Sequence, residues 1–286
     1  MTEGASPLPR LLICLTFPFR AEALSYLFEV LLSLGEIRSA PLDVRIFTDC
    51  GNREEQDWIH RLAWHVSVGT MRVSVEIHET SEPLPLSWAH KTWLRSLFDI
   101  ETSYYTHFVY LDDLIRFSSR NLFYFLKYRP ILRPFGLVPG FVQVEFSNRT
   151  GSIVLPDLPA PMRVSGRGIV DLGDVDFMAL DAPFVPMHVM DADLVREYLA
   201  SPASDLEASR ALIGWGDAQR SAMGLTFINP PQHHSWRVAV PILRSQGTPS
   251  PGAWVHHVSN AIAARHAAEP DFPLGRIGLD NLLLDD

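Results

Sequence analysis

The stretch Leu11 to Thr16, LLICLT, is an unbroken apolar run that ends at Phe17-Pro18-Phe19-Arg20. Six residues without polar alternation fit a strand buried on both faces, and the proline prevents the pairing from continuing. From Ala21 to Leu34 the residues Leu24, Leu27, Phe28, Leu31 and Leu32 recur at helical spacing, with Gly35 as the stop. Val44 to Phe47 reads as a second buried strand closing at Thr48-Asp49, Asn52 to Val66 as a helix, and Val73, Val75 and Ile77 as an alternating strand. Strand, helix, strand, helix, strand is the order of a parallel α/β sheet. Ser87 to Ile100 then predicts a helix that feeds the strand His107 to Leu111, which stops at Asp112-Asp113. In open α/β sheets ligands gather beyond the carboxyl ends of the strands, where these two acids fall.

The second half is less regular. A helix from Ser119 to Tyr128 precedes Pro130 and Pro134, and Phe141 to Phe146 with Ser152 to Leu155 predict a hairpin across Asn148-Arg149-Thr150-Gly151. Short helices are expected near Asp191 to Leu199 and Asp217 to Met223. No repeat, low-complexity tract or long linker marks a boundary, so residues 1–286 are read as one domain with halves of about 10–116 and 117–286.

With a net charge of −9 and Lys91 and Lys127 as the only lysines, the chain offers no polybasic stripe for a nucleic-acid backbone. Single arginines can still grip a diphosphate or a carboxylate. Cys14 and Cys50 form neither a disulfide framework nor a metal-ligand spacing, which fits a reducing compartment. The opening MTEGASPLPR does not have the pattern of a signal peptide, and no apolar run approaches the roughly 18 residues of a membrane span. A cytoplasmic protein is expected, which a partner can still bring to a membrane.

Two carboxylates at one strand end make a hard-oxygen site that suits Mn²⁺ or Mg²⁺ bridged to a diphosphate, although adjacent acids there also serve as caps or solvated loop residues. His256-His257 and His233-His234 offer imidazoles that could complete such a shell, or form ordinary surface hydrogen bonds. Asp49 could accept a hydrogen bond from a nucleobase or ribose, or form an Asx turn. Tyr104, Tyr105, Trp88, Trp93, Trp215, Trp236 and Trp254 could stack on sugar rings or fill the core.

The segments SWAHKTWLRSLF, HFVYLDD, VPGFVQVEF and WVHHVSNAIA together resemble glycosyltransferase-like proteins of the GT-A superfamily, over roughly Leu11 to Ala263. That resemblance implies a Rossmann-type, mostly parallel sheet flanked by helices, with a mixed C-terminal portion on the acceptor side. It places the family's strand-end acids on Asp112 and Asp113, its late histidine and asparagine on His257 and Asn260, and its upstream histidine on His90. The third acid of the pattern meets Leu114, which leaves the metal clamp incomplete. Asp113, Asp112 and His257 are then the implied metal ligands, while Asp49, Asp112, Arg20, His90 and Asn260 would contact the donor, and Arg116 could join Arg20 on its diphosphate. An inverting transferase also needs a carboxylate to take the acceptor's proton, for which Asp217 and then Glu145 are the candidates, each with a plain structural alternative as cap or strand residue.

The expected activity is therefore transfer of a sugar from a nucleotide-sugar donor to a hydroxyl of a glycan or other acceptor, assisted by Mn²⁺ or Mg²⁺. A non-catalytic relative that binds a glycan or protein is the alternative, and a metal-dependent hydrolase is a third reading, disfavoured by the lack of clustered histidine ligands.

Overall fold

A computed structural model describes residues 8–79, 84–101, 104–155, 168–180, 184–232, 234–269 and 275–276. The chain opens with β1 (Leu11–Phe17), α1 (Leu24–Gly35), β2 (Leu42–Thr48), α2 (Arg53–Val66), β3 (Met71–Ile77), α3 (Leu86–Glu101) and β4 (His107–Asp112). There follow β5 (Ile115–Arg116), α4 (Ser119–Leu132), β6 (Val138–Pro139), β7 (Val142–Ser147), β8 (Ser152–Leu155), β9 (Val170–Asp171) and β10 (Val175–Ala179). Next come β11 (Met187–Asp191), α5 (Ala192–Ala200) and α6 (Asp217–Ala222), and then β12 (Val238–Leu243), β13 (Thr248–Pro249), β14 (Trp254–His257), α7 (Ala261–Ala268) and β15 (Gly275–Arg276).

These elements form two compact units: Met1–Asp113 with Pro186–Gly224, and Leu114–Val185 with Leu225–Asp286. The first holds one sheet in the order β11-β4-β1-β2-β3. β1 to β4 run parallel, as their apolar runs predict, and β11 closes the edge of β4 antiparallel. Every residue of β1 is buried, which explains why the run carries no polar alternation. Asn52 caps α2 by accepting the Glu55 N–H at 3.0 Å, and Asp191 caps α5 through the Leu194 N–H at 2.8 Å.

The second unit holds two mixed sheets. One runs β13-β12-β10-β9 with β6 beside β12, the other β15-β8-β7-β14-β5. Their core is Val142, Val144, Leu155, Met178, Leu180, Val240 and Ile242, with Val238 and Trp254 packed against it. The expected hairpin is β7 with β8, and Gly151 at φ +63° makes the turn, its N–H donating to Ser147 O at 2.8 Å.

The α/β class and the mostly parallel sheet are as expected, while β5, β6, β9 to β15 and α7 carry no expectation from the sequence and α4 differs in length. α4 does not stop at Tyr128; it runs through Pro130 to Leu132, because burial of Tyr128, Arg129 and Leu132 outweighs the loss of one helical N–H. β11 extends the sheet where no strand is expected, since pairing with β4, far away in sequence, defines it.

Candidate functional site

In the first unit the chain steps outward from β1 to β2 to β3, then returns to the other side of β1 as β4. The progression therefore reverses between β1 and β4, and the region beyond the carboxyl ends at such a reversal is where ligands usually sit in open sheets. Thr16 of β1 is level with Asp112 of β4, so Arg20, Asp112 and Asp113 all emerge at that switch point.

Backbone and side-chain bonds fix the loops there. The Phe19 N–H donates to Asp49 Oδ1 at 2.7 Å, tying the segment after β1 to the end of β2. Phe19 is also wedged between Phe17 and Trp58, with ring centroids 6.0 and 6.4 Å away. One residue on, the Arg20 guanidinium donates through Nη2 to Asp113 Oδ2 at 3.0 Å. Asp113 is only 2% exposed, whereas the Arg20 side chain is about half exposed at 48%. A buried carboxylate thus holds a guanidinium whose remaining N–H groups reach solvent, the posture of an anion receptor. Asp112 is partly exposed, with its N–H bonded to Pro186 O at 3.0 Å.

His90, expected at the donor, is 2% exposed and packs its ring 4.5 Å from Tyr110 and 6.3 Å from Phe47. It forms part of the wall between α3 and the sheet and offers a ligand no ring edge. Neither of its nitrogens makes an aligned hydrogen bond, and burial holds its pKa well below the ordinary histidine range. Tyr110 also stacks on His188 of β11 at 5.4 Å, and the His188 Nδ1–H donates to Ala222 O at 3.0 Å.

Asp217 opens α6, where its Oδ1 accepts from Arg220 Nη2 at 2.5 Å and its carbonyl accepts the Trp88 indole N–H at 2.8 Å. Its side chain is 38% exposed. Sequence reasoning misses a cavity of about 370 Å³ at the carboxyl ends of β2 and β3, lined in part by Phe47, Glu76, His78 and Trp93. Of these, Trp93 alone stands out in the sequence, as one aromatic among many.

The remaining expected residues lie in the second unit. Glu145 is fully buried, its Oε2 accepting the Ala263 N–H at 2.7 Å and its Oε1 lying 3.2 Å from His257 Nδ1. With no exposed surface, this carboxylate is out of reach of an acceptor hydroxyl, against the base role expected of Glu145. His257 Nδ1 also lies 3.0 Å from Ser259 Oγ, so this ring nitrogen faces two neighbours at once. With Nδ1 so engaged, Nε2 is the ring nitrogen of His257 that these contacts leave open. Of the other histidine pair, His233 lies outside the described residues.

Asn260 is bonded within the second unit. It stands at φ +49°, and its Oδ1 accepts the Phe146 N–H at 2.7 Å and lies 2.8 Å from His256 Nε2, while its Nδ2 donates to Val258 O at 3.3 Å. Both lone pairs of its amide oxygen and one amide N–H are thus engaged in fixing the start of α7. Among the described residues no group of three or more histidine, cysteine or acidic side chains gathers that could hold a metal ion.

No family model matches the chain, and no curated protein matches it. Solved structures with some likeness include the mannosyltransferase PcManGT from Pyrobaculum calidifontis in complex with GDP-Man and Mn²⁺, at 15% identity and a TM-score of 0.33, covering 49% of this chain and 35% of that one. Another is residues 1–349 of S. aureus TarS, at 11% identity and a TM-score of 0.40, covering 88% of this chain and 61% of that one. The chain thus spans less than two thirds of either, and likeness at this level assigns it neither family nor activity.

Proposed function

We propose that the chain transfers a sugar from a nucleotide-sugar donor to a hydroxyl acceptor, with the donor seated at the β1/β4 switch point. The observation that carries this reading is the half-exposed Arg20 guanidinium held by the buried Asp113, beside Asp112 and at the carboxyl ends of both strands. The chemistry follows from charge. Breaking the bond from the anomeric carbon to the diphosphate leaves negative charge on phosphate oxygens, and a preorganised guanidinium stabilises that charge as it forms. Arg20 does this, and Asp113 fixes its direction. The nucleoside occupies the cavity that Phe47 and Trp93 line, which lies in the same unit and at the same end of the sheet. Asp217, the exposed one of the two candidate carboxylates, takes the proton of the acceptor hydroxyl.

The donor set suits a hard cation in one respect: Asp112 and Asp113 supply carboxylate oxygens, and Mg²⁺-type sites draw their other ligands from substrate phosphates and water rather than from a protein cage. Bound there, Mn²⁺ or Mg²⁺ would neutralise charge on the diphosphate. The non-catalytic alternative rests on Leu114 in place of a third acid and on the existing Arg20–Asp113 pair.

Thermal denaturation with UDP and GDP, each with and without Mn²⁺ or Mg²⁺, tests the reading. Ligand at a hundred times its Kd should raise the midpoint by roughly 5 °C. Asp113→Ala should abolish both this shift and turnover while the circular dichroism spectrum stays that of the parent. No stabilisation by any nucleoside diphosphate, or full turnover in Asp113→Ala, would overturn the assignment.

A further inference from the structure

Phe123 is 54% exposed on α4, and Phe135, just past the helix end, is 51% exposed. Arg120, Phe123, Lys127 and Pro130 are all exposed and, at 3.6 residues per turn, fall within about 80° of one another around the helix axis. Arg133, Pro134 and Phe135 continue the exposed surface beyond Leu132. No acidic residue occurs from Leu114 to Val144, and none occurs from Ala218 to Ala268. The second of these stretches adjoins the first, since a Cβ on Gly136 would meet Pro231 at 3.7 Å.

Neither Arg120 nor Lys127 has an ion-pair partner among the described residues, and the second unit's described residues carry ten arginines and lysines against five acids. Of those five, Glu145 is buried, Asp171 and Asp176 are bound by Arg244, Glu269 is bound by Arg265, and Asp174 is exposed on the turn between β9 and β10. The positive charge of Arg120 and Lys127 is therefore left to face solvent.

We propose that this exposed side of α4 and the turn after it lie on the surface of an anionic lipid bilayer. Basic residues alone would suit any polyanion, but aromatic side chains interleaved with them on one arc match a membrane interface, where rings enter the headgroup boundary and cations meet lipid phosphates. Exposed Phe123 and Phe135 gain from that burial, which a soluble polyanion does not provide. The surface belongs to the second unit and stands apart from the sugar-transfer reading, so either can fail without the other.

Sedimentation of the full chain with vesicles tests the proposal. It should pellet with vesicles of phosphatidylcholine and phosphatidylglycerol, remain in solution with phosphatidylcholine alone, and be released by high salt. Replacing Arg120 and Lys127 together by glutamine should weaken binding about thirty-fold, at about five-fold per cation. Phe123→Ser should weaken it several-fold, while Arg120→Lys should keep it. All three positions are exposed, and an unchanged thermal midpoint confirms the fold of each variant. Equal pelleting with both vesicle types, no pelleting with either, or a double glutamine variant that binds like the parent would overturn the proposal. So would binding that dextran sulfate abolishes and Phe123→Ser leaves intact, since the surface would then serve a soluble polyanion.

Discussion

At the scale of single residues, Arg20 and Asp113 depend on each other unequally. Removing the guanidinium strands a carboxylate that is 2% exposed, while removing the carboxylate frees a guanidinium that already reaches water. Arg20→Ala should therefore lower the unfolding midpoint more than Asp113→Asn, and both should weaken UDP or GDP binding in a titration. Glu145→Ala should cost about 1–3 kcal/mol in urea unfolding, because it leaves the Ala263 N–H without its acceptor. The strand-end acids were legible in the sequence because a buried apolar run points directly at them. The fates of Asn260 and Glu145 were not, because their deciding bonds reach across 114 and 118 residues to Phe146 and Ala263. Nothing local to either residue announces such a partner.

At the scale of elements, the stack of His90, Tyr110 and His188 joins α3, β4 and β11 through unprotonated imidazoles. Burial lowers the His188 pKa to about 4. The folded state therefore binds fewer protons than the unfolded chain, whose histidine titrates near 6.5, so stability is present in full above that value and lost as pH falls toward about 4. Thermal midpoints recorded from about pH 7 to about pH 4 should fall across that window, and His188→Gln should flatten the fall. Close packing behind the same stack bars a side chain at Gly224, which sits at φ +53° and where a Cβ would lie 2.8 Å from Met190 Cε and 2.9 Å from His188 Cγ. Gly224→Ala should destabilise by about 1–3 kcal/mol in urea unfolding. The strands and helices up to β4 were readable from periodicity, since each buries a face set by its own sequence. The short strand β11 was not, because its register comes from β4 rather than from any pattern within Met187–Asp191.

At the scale of the whole molecule, contacts are shared across the chain order, since the segment Pro186–Gly224 packs with Met1–Asp113. The first unit is thus built from two stretches of chain, and β11, from the later stretch, supplies the outer neighbour of β4. During synthesis β4 is complete long before Asp191 exists, so the nascent sheet carries an unsheltered hydrogen-bonding edge in the interval. In that interval the edge is open to pairing with neighbouring chains on the polysome, a hazard that β11 removes once it is made.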